Sequence, residues 1–277
     1  MTSGRRVLRA VGVYLLLLVG AAVTLAPFLL SAMTAFKTPA QFARTPALTP
    51  PDPWTLDNLV SLFTGPAGFG RALLVTALVT VFILVFQLVF SIMAAYAFAR
   101  VHFPGRDALF WVYLATLMVP AIVLVIPLYL MMAQLGLRDT FWGLVLPFSF
   151  GSPYAIFLLR EYFRGIPQEL IDAARLDGAS TLDILVEIVV PLSRPIIATL
   201  VLITAVSQWN NFLWPLVITS GNTWRVATVA TASLQSQYNG NWTVVMAATT
   251  LAIVPLVVLF LIFQKRFVRS ITITGFR

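Results

Sequence analysis

Residues 160–195 read REYFRGIPQELIDAARLDGASTLDILVEIVVPLSRP, a polar island between long apolar runs. Pro167 suits a first helical turn, where its missing N–H is no loss. Glu169 and Asp172 then place negative charge toward the N-terminus, where the helix dipole favours it. These signals predict a helix from Gln168 to Asp177, stopped by Gly178 as a C-terminal cap. Ser180, with Asp183 three residues on, makes a capping-box pattern and predicts a second helix running to Pro191. Two short helices joined at a fixed bend form an elbow of about thirty residues, far longer than a connection that merely joins two spans. Ala173-Ala174 offers a small, nearly flat surface ringed by Asp172, Arg175 and Asp177. A helix lying on the inner leaflet would need a basic polar face. Over 161–187, however, Glu161, Glu169, Asp172, Asp177, Asp183 and Glu187 face only Arg164 and Arg175. Anionic lipid would repel that stretch, and the residues point instead to docking into a groove on another protein.

On either side of the elbow the chain is apolar. Hydrophobic residues make up 60% of the 277 and charged residues 10%, against roughly a quarter charged in ordinary globular domains. The excess is gathered into runs at about 7–34, 72–99, 108–134, 140–159, 196–219 and 243–264, each near or above the roughly 20 residues that a membrane helix needs. The expected fold is therefore an all-α integral membrane protein of six transmembrane helices in a single domain spanning 1–277. Arg5, Arg6 and Arg9 resemble the start of a secretory signal, but the apolar stretch from Val7 to Ala35 far exceeds the roughly 7–15 residues of a signal's apolar core. A retained first span is expected. Six spans put both termini on one side, with Arg5, Arg6, Arg9, Arg100, Arg106, Arg160, Arg164, Arg175, Arg194, Lys265, Arg266, Arg269 and Arg277. The other side holds Lys37, Arg44, Arg71, Arg138 and Arg225. By the positive-inside rule both termini are cytoplasmic, so the net charge of +8 is a topology signal and does not imply nucleic-acid binding.

Several chemistries find no residues to carry them. The chain has no cysteine, and its one histidine, His102, sits in a short loop beside Phe103-Pro104-Gly105. No metal site and no catalytic constellation is visible. No lysine, arginine, aspartate or glutamate lies deep in a span, where proton-coupled carriers usually keep one; sodium coupling through carbonyls and hydroxyls stays open. The polar groups of the spans are uncharged, namely Gln87 and Ser91 in span two and Thr204, Ser207, Gln208, Asn210 and Asn211 in span five. They suit a neutral polar solute and equally suit hydrogen bonds between helices. Trp209 and Trp214 suit either a sugar ring or an interfacial anchor. Pro27, Pro120, Pro127, Pro147, Pro153, Pro215 and Pro255 recur inside the runs, and each frees a carbonyl that must be satisfied elsewhere. Between spans one and two lies an irregular, proline-rich segment, about 37–70, and a polar stretch at 220–242 precedes span six.

Ile171-Asp172-Ala173-Ala174-Arg175-Leu176-Asp177-Gly178-Ala179-Ser180, followed by Ile188-Val189-Val190-Pro191-Leu192, resembles the EAA loop of ABC importer permeases, with Asp172 where the family has glutamate. Phe157-Leu158-Leu159-Arg160, Ile166-Pro167-Gln168-Glu169-Leu170, Gln208-Trp209-Asn210-Asn211-Phe212-Leu213-Trp214-Pro215-Leu216 and Phe263-Gln264-Lys265-Arg266-Phe267-Val268 are similar to the maltose-type (MalG-type) sugar permeases within that group. The resemblance covers roughly residues 71–268. It implies a type I importer permease of MetI-like fold with cytoplasmic coupling helices at about 164–194, moving a sugar or sugar-like solute by alternating access across a bacterial plasma (inner) membrane. It also implies a second permease subunit, two ATP-binding-cassette ATPases carrying ATP and Mg, and an extracytoplasmic solute-binding protein. By the same resemblance Asp172, Ala173, Ala174, Arg175, Asp177 and Gly178 couple to the ATPase. The resemblance further implies that the loop Gln235-Ser236-Gln237-Tyr238-Asn239-Gly240 contacts the binding protein, whereas the residues of the spans themselves predict that Gln87, Ser207, Gln208, Trp209, Asn210 and Asn211 line the pathway. The chain carries no G-x-x-x-x-G-K-[ST] loop of its own, so no ATPase chemistry and no cofactor is expected in it. Amino sugars, glycerophosphodiesters or glycerol phosphate are alternative solutes, and an ion-coupled carrier is a distant alternative.

Overall fold

The computed structural model describes residues 3–65, 68–235 and 240–273, and every regular element among them is helical. Four helices follow the longest apolar runs: α1 (Ser3–Ala35), then past the short α2 (Pro39–Arg44) and α3 (Asp57–Thr64), α4 (Phe69–Arg100), with α12 and α15 described below. The third and fourth spans are each built from two helices. α5 (Arg106–Ala115) continues as a 3-10 turn to Met118 and meets α6 (Ala121–Gln134) at a 99° bend. α7 (Phe141–Val145) continues as a 3-10 turn to Phe148 and meets α8 (Pro153–Arg164) at 40°. Among the described residues four stretches are long and apolar enough to cross a membrane, α1, α4, α12 with the short helix after it, and α15, and the count reaches the expected six when each broken pair is taken as one span.

The breaks fall where the backbone chemistry directs them. Val119, just before Pro120, is extended with ψ 118°, as the ring of a following proline requires. Pro153 occupies the first position of α8 and Pro147 lies in a 3-10 turn, whereas Pro27, Pro127 and Pro255 sit inside continuous helices. Two of the seven span prolines thus stand at the two breaks as helix starters, where a missing N–H leaves no gap in the ladder.

The elbow follows as α9 (Gln168–Leu176), α10 (Thr181–Asp183), a π-helical stretch Ile184–Val189, and α11 (Val190–Leu192). The sequence predicts one regular second helix to Pro191; the structure gives a helical run whose middle is wound as π. Pro191, which can donate no bond back into that ladder, closes the wide stretch. Next come α12 (Arg194–Trp209), α13 (Leu213–Ile218), α14 (Ala227–Ser233) and α15 (Trp242–Ile273).

The chain forms two compact units, one of residues 1–70 with 230–254 and one of 71–229 with 255–277. In the first, Asn58 is buried and its amide donates to the carbonyls of Ala35 and Lys37 at 2.8 and 2.7 Å, while its Oδ1 lies 2.7 Å from the Thr243 hydroxyl. Lys37, only 1% exposed, donates to the carbonyls of Pro46 and Ala47. The proline-rich segment after span one is therefore pinned by two buried polar side chains. α1 leaves its apolar surface from Val11 to Leu29 largely uncovered.

The second unit holds two apolar clusters. One gathers Val75, Val79 and Ile83 of α4, Met132, Leu144, Val145, Trp214 and Ile218. The other lies at the elbow end and gathers Ala95, Tyr96 and Phe98 of α4, Phe110, Leu159 and Phe163, Ile171 of α9, Ile184 and Val189. The elbow is packed onto the spans through Ile171, buried although α9 is polar, and through Ile184 at the start of the π stretch.

Candidate functional site

α9 ends in a Schellman motif. The Ala179 N–H donates to the Ala174 carbonyl at 3.0 Å and the Gly178 N–H to the Arg175 carbonyl at 3.1 Å, with Gly178 at φ +86°. This left-handed residue is the one the sequence predicts as the cap. The capping box that begins α10 is complete. The Ser180 hydroxyl accepts from the Asp183 N–H at 3.3 Å, and the Asp183 carboxylate accepts from the Ser180 N–H at 2.9 Å. The side-chain contact with Ser180, and then the backbone one, hold the Asp183 carboxyl below its ordinary value. Asp177 and Ala179 flank the bend, so both of its sides are held by local hydrogen bonds.

The predicted elbow residues divide between two faces. Asp172, Ala173, Arg175, Asp177 and Gly178 are exposed, whereas Ala174 is half-buried and packs with Ala179 against the elbow-end cluster. One alanine permits close approach of the elbow to its own spans, and the other faces outward. Leu176, at the end of α9, is 89% exposed. Asp172 accepts from the Gln168 amide at 3.0 Å and lies 3.6 Å from Arg175, an exposed pair of little intrinsic strength.

Two arginines that carry no predicted site role organise the root of the elbow. Arg160, 8% exposed, donates to the Phe98 carbonyl at 3.4 Å, to Glu161 at 2.6 Å and to Asp107 at 3.4 Å, with its guanidinium 4.0 Å above the Phe110 ring. Arg100 donates twice to the Phe163 carbonyl, at 3.2 and 2.6 Å, once to Ile166, and to Gln168 Oε1 at 2.5 Å. Position at the end of an apolar run hinted at an anchoring role; nothing in the sequence identified the acceptors.

The predicted pathway residues lie in two places. Gln87 of α4 donates to the Phe148 carbonyl at 3.2 Å, beside the break in span four. The buried Ser91 hydroxyl accepts from the Ser152 N–H at 3.1 Å, and the Tyr113 hydroxyl donates to the Gly151 carbonyl. Side chains of α4 and α5 thus satisfy backbone groups freed where α7 gives way to α8, as an apolar medium demands. Ser207, Gln208, Trp209, Asn210 and Asn211 lie at the end of α12, where the helix stops before α13. Asn210 donates back to the Val206 carbonyl at 2.9 Å, and Ser207 and Asn210 are exposed. Gln208 and Asn211 line a cavity of about 10 Å³ with Thr76, Leu144 and Trp214, room for about one water. Trp214 is buried and donates its indole N–H to the Gly143 carbonyl at 3.1 Å, so its ring is enclosed and presents no face to a solute. Of the predicted binding-protein loop, Gln235 and Gly240 are described; Ser236, Gln237, Tyr238 and Asn239 lie outside the described residues. Among the described residues no group of histidine, aspartate and glutamate could hold a metal ion.

Four to six candidate spans, with a capped polar elbow following the second broken pair, define a multi-pass transport permease. Residues 87–273 match the model of the family described as binding-protein-dependent transport system inner membrane component, and the chain belongs to that family. It is 35% identical over 230 residues to the arabinooligosaccharides transport system permease protein AraQ of Halalkalibacterium halodurans, covering 81% of this chain and 80% of that one. It is 34% identical over 265 residues to the sn-glycerol-3-phosphate transport system permease protein UgpE of Yersinia pestis, covering 93% and 94%. Among solved structures it superposes at a TM-score of 0.82 and 26% identity on a bacterial ABC transporter involved in the import of the acidic polysaccharide alginate, over 96% of this chain and 99% of that one. The fold is that of a MetI-like importer permease, and the chain is a transport subunit and not an enzyme.

Proposed function

We propose that this chain is one half of a pore that imports a carbohydrate or a closely related polyol phosphate, driven by ATPase subunits that dock on the α9 elbow. The observation that carries the coupling reading is Leu176. It stands 89% exposed at the tip of a polar elbow whose bend is held on both sides by caps, and docking would bury it. The coupling residues are Asp172, Ala173, Arg175, Asp177 and Gly178, with Ala174 supporting them from behind. In this reading the whole chain works as one permease domain. Both termini and the elbow are cytoplasmic, a second permease completes the pore, and ATP and Mg reside on the partner ATPases.

The solute class is supported by the names of the relatives, which span arabinooligosaccharides and sn-glycerol-3-phosphate. It is supported also by the uncharged groups Ser207, Gln208, Asn210 and Asn211 at the interruption between α12 and α13. The stretch from Gln235 to Gly240 is the proposed contact with an external binding protein, whose ligand would name the solute.

The coupling reading is tested with Leu176→Asp. Full burial of a leucine is worth about 1.5–3 kcal/mol, so the affinity of the permease for its ATPase should fall about tenfold to a hundredfold. Unchanged affinity would remove α9 from the docking surface.

A further inference from the structure

Arg100 is the last residue of α4 and lies outside the proposed docking surface, yet its guanidinium stands where α4, the end of α8 and the start of α9 converge. α8 ends at Arg164 and leaves its last carbonyls without helical partners. The connection to α9 is only Gly165, Ile166 and Pro167, and Pro167 has no N–H to offer. The Phe163 carbonyl accepts from the Ile166 N–H at 3.2 Å and also from Arg100, which donates as well to the Ile166 carbonyl on the far side of the turn and to Gln168 Oε1 at 2.5 Å. The Gln168 amide then donates to Asp172 at 3.0 Å, and Asp172 faces Arg175 at 3.6 Å. A continuous polar chain therefore runs from the end of span two to the outward face of α9.

We propose that Arg100 is a positioning residue that presets the angle at which α9 meets the ATPase, an inference that rests on the docking reading above. A planar fork with five donors can hold several carbonyls at fixed angles to one another; a single ammonium cannot. The base against which it acts is itself fixed. Arg160 ties α8 to the Phe98 carbonyl of α4 and to Asp107 and Phe110 of α5, and Phe163 is fully buried. α9 has nine residues, and isolated helices shorter than about 12–15 residues are marginal in water. Its orientation must therefore come from tertiary ties. Ile171 supplies the apolar one, and Arg100 supplies the polar one at the entry turn. Without it α9 has to be ordered at the moment of docking, and that ordering is taken from the affinity.

The test uses the permease assembly stripped of the ATPase that copurifies with it and then titrated with that same ATPase. Arg100→Met should raise the dissociation constant about tenfold. Amide exchange should quicken within 163–176 only, with the melting temperature of the assembly unchanged. Arg100→Lys should behave more like the methionine variant than like the parent. An unchanged dissociation constant in Arg100→Met overturns the proposal, and so does full affinity in Arg100→Lys, which would assign the effect to charge alone. If Arg100→Met lowers melting and speeds exchange throughout, Gln168→Leu decides, since it spares the carbonyl bonds and breaks only the side-chain relay from Arg100 through Gln168 to Asp172. It should weaken docking about threefold, and parental affinity there also overturns the proposal. Leu176→Asp, titrated alongside, separates the two readings. Should it leave docking intact, the docking reading itself fails; should it weaken docking while the Arg100 variants do not, only the positioning role fails.

Discussion

Gly178 permits a graded test of the bend. At φ +86° it occupies backbone space that a Cβ disfavours, and a Cβ built there would meet no atom within 4 Å. Any cost of substitution is therefore conformational and not steric against neighbours. A non-glycine residue in the left-handed region costs about 1–2 kcal/mol, least for asparagine, whose short polar side chain tolerates that region, and most for a β-branched residue. The expected order of damage is Gly178→Asn, then Gly178→Ala at about 1 kcal/mol, then Gly178→Val at about 2 kcal/mol or more. The bonds at risk are those from the N–H groups of Gly178 and Ala179 to Arg175 and Ala174. Local opening should thus rise about fivefold for alanine and about thirtyfold for valine, read as amide exchange at positions 178 and 179. Association with the ATPase should fall in the same order under the proposed function. An order that follows side-chain volume, with asparagine as damaging as valine, would refute the conformational argument. Parental exchange in all three would show that the left-handed cap is not holding the elbow.

Ser91→Ala leaves the part-buried Ser152 N–H at the break in span four without its acceptor. It should cost about 1–3 kcal/mol, seen as a lowered unfolding midpoint in detergent with faster exchange at Ser152. Asn58→Leu removes two donated hydrogen bonds and one acceptor from the buried network joining Ala35, Lys37 and Thr243. It should destabilise the segment after span one by about 2–4 kcal/mol, measured as protease sensitivity between 36 and 65. The depressed Asp183 carboxyl gives a pH dependence of definite sign. A lowered folded value means the cap's contribution is present above the ordinary aspartate value of 3.8 and is lost as pH falls through the folded value below it. Exchange at Ser180 and Asp183 should accelerate only in that acid range, and Asp183→Asn should abolish the acceleration.

The spans were legible because twenty-residue apolar runs have few alternatives in composition, and the elbow because its signals are local. Pro167, Gly178 and the Ser180–Asp183 pair each act on their own backbone neighbours, and the structure places the left-handed residue and the completed capping box at those positions. What the sequence could not show depends on distant partners. The backbone acceptors of Arg100 and Arg160 come from residues about sixty positions away, and nothing in an apolar run marks which carbonyl will be exposed at its end. The π winding of 184–189 was likewise invisible, because the run Ile184-Leu185-Val186-Glu187-Ile188-Val189 suits α and π ladders alike. The two alanines illustrate the same limit. They are adjacent and identical, but helical rotation sends Ala174 to the core and Ala173 outward.

The polar residues of the spans acquire a division of labour from this geometry. Breaking a membrane helix frees backbone groups in a medium that offers no water, and each break must bring its own partners. In span four those partners are Gln87, Ser91 and Tyr113, and near the start of α4 the Thr76 hydroxyl accepts from the Ala227 N–H at 2.8 Å. Trp214 does the same for Gly143 across to α7. A polar side chain committed to a backbone group has less to give a passing solute. Among the proposed pathway residues Gln87 and Asn210 are both committed to backbone carbonyls, and Ser207, exposed near the end of α12, stands better placed to meet a solute. The same reasoning explains why an importer permease can be so poor in charge. Where the chain interrupts its own helices, neutral amides and hydroxyls suffice to keep the interruption stable.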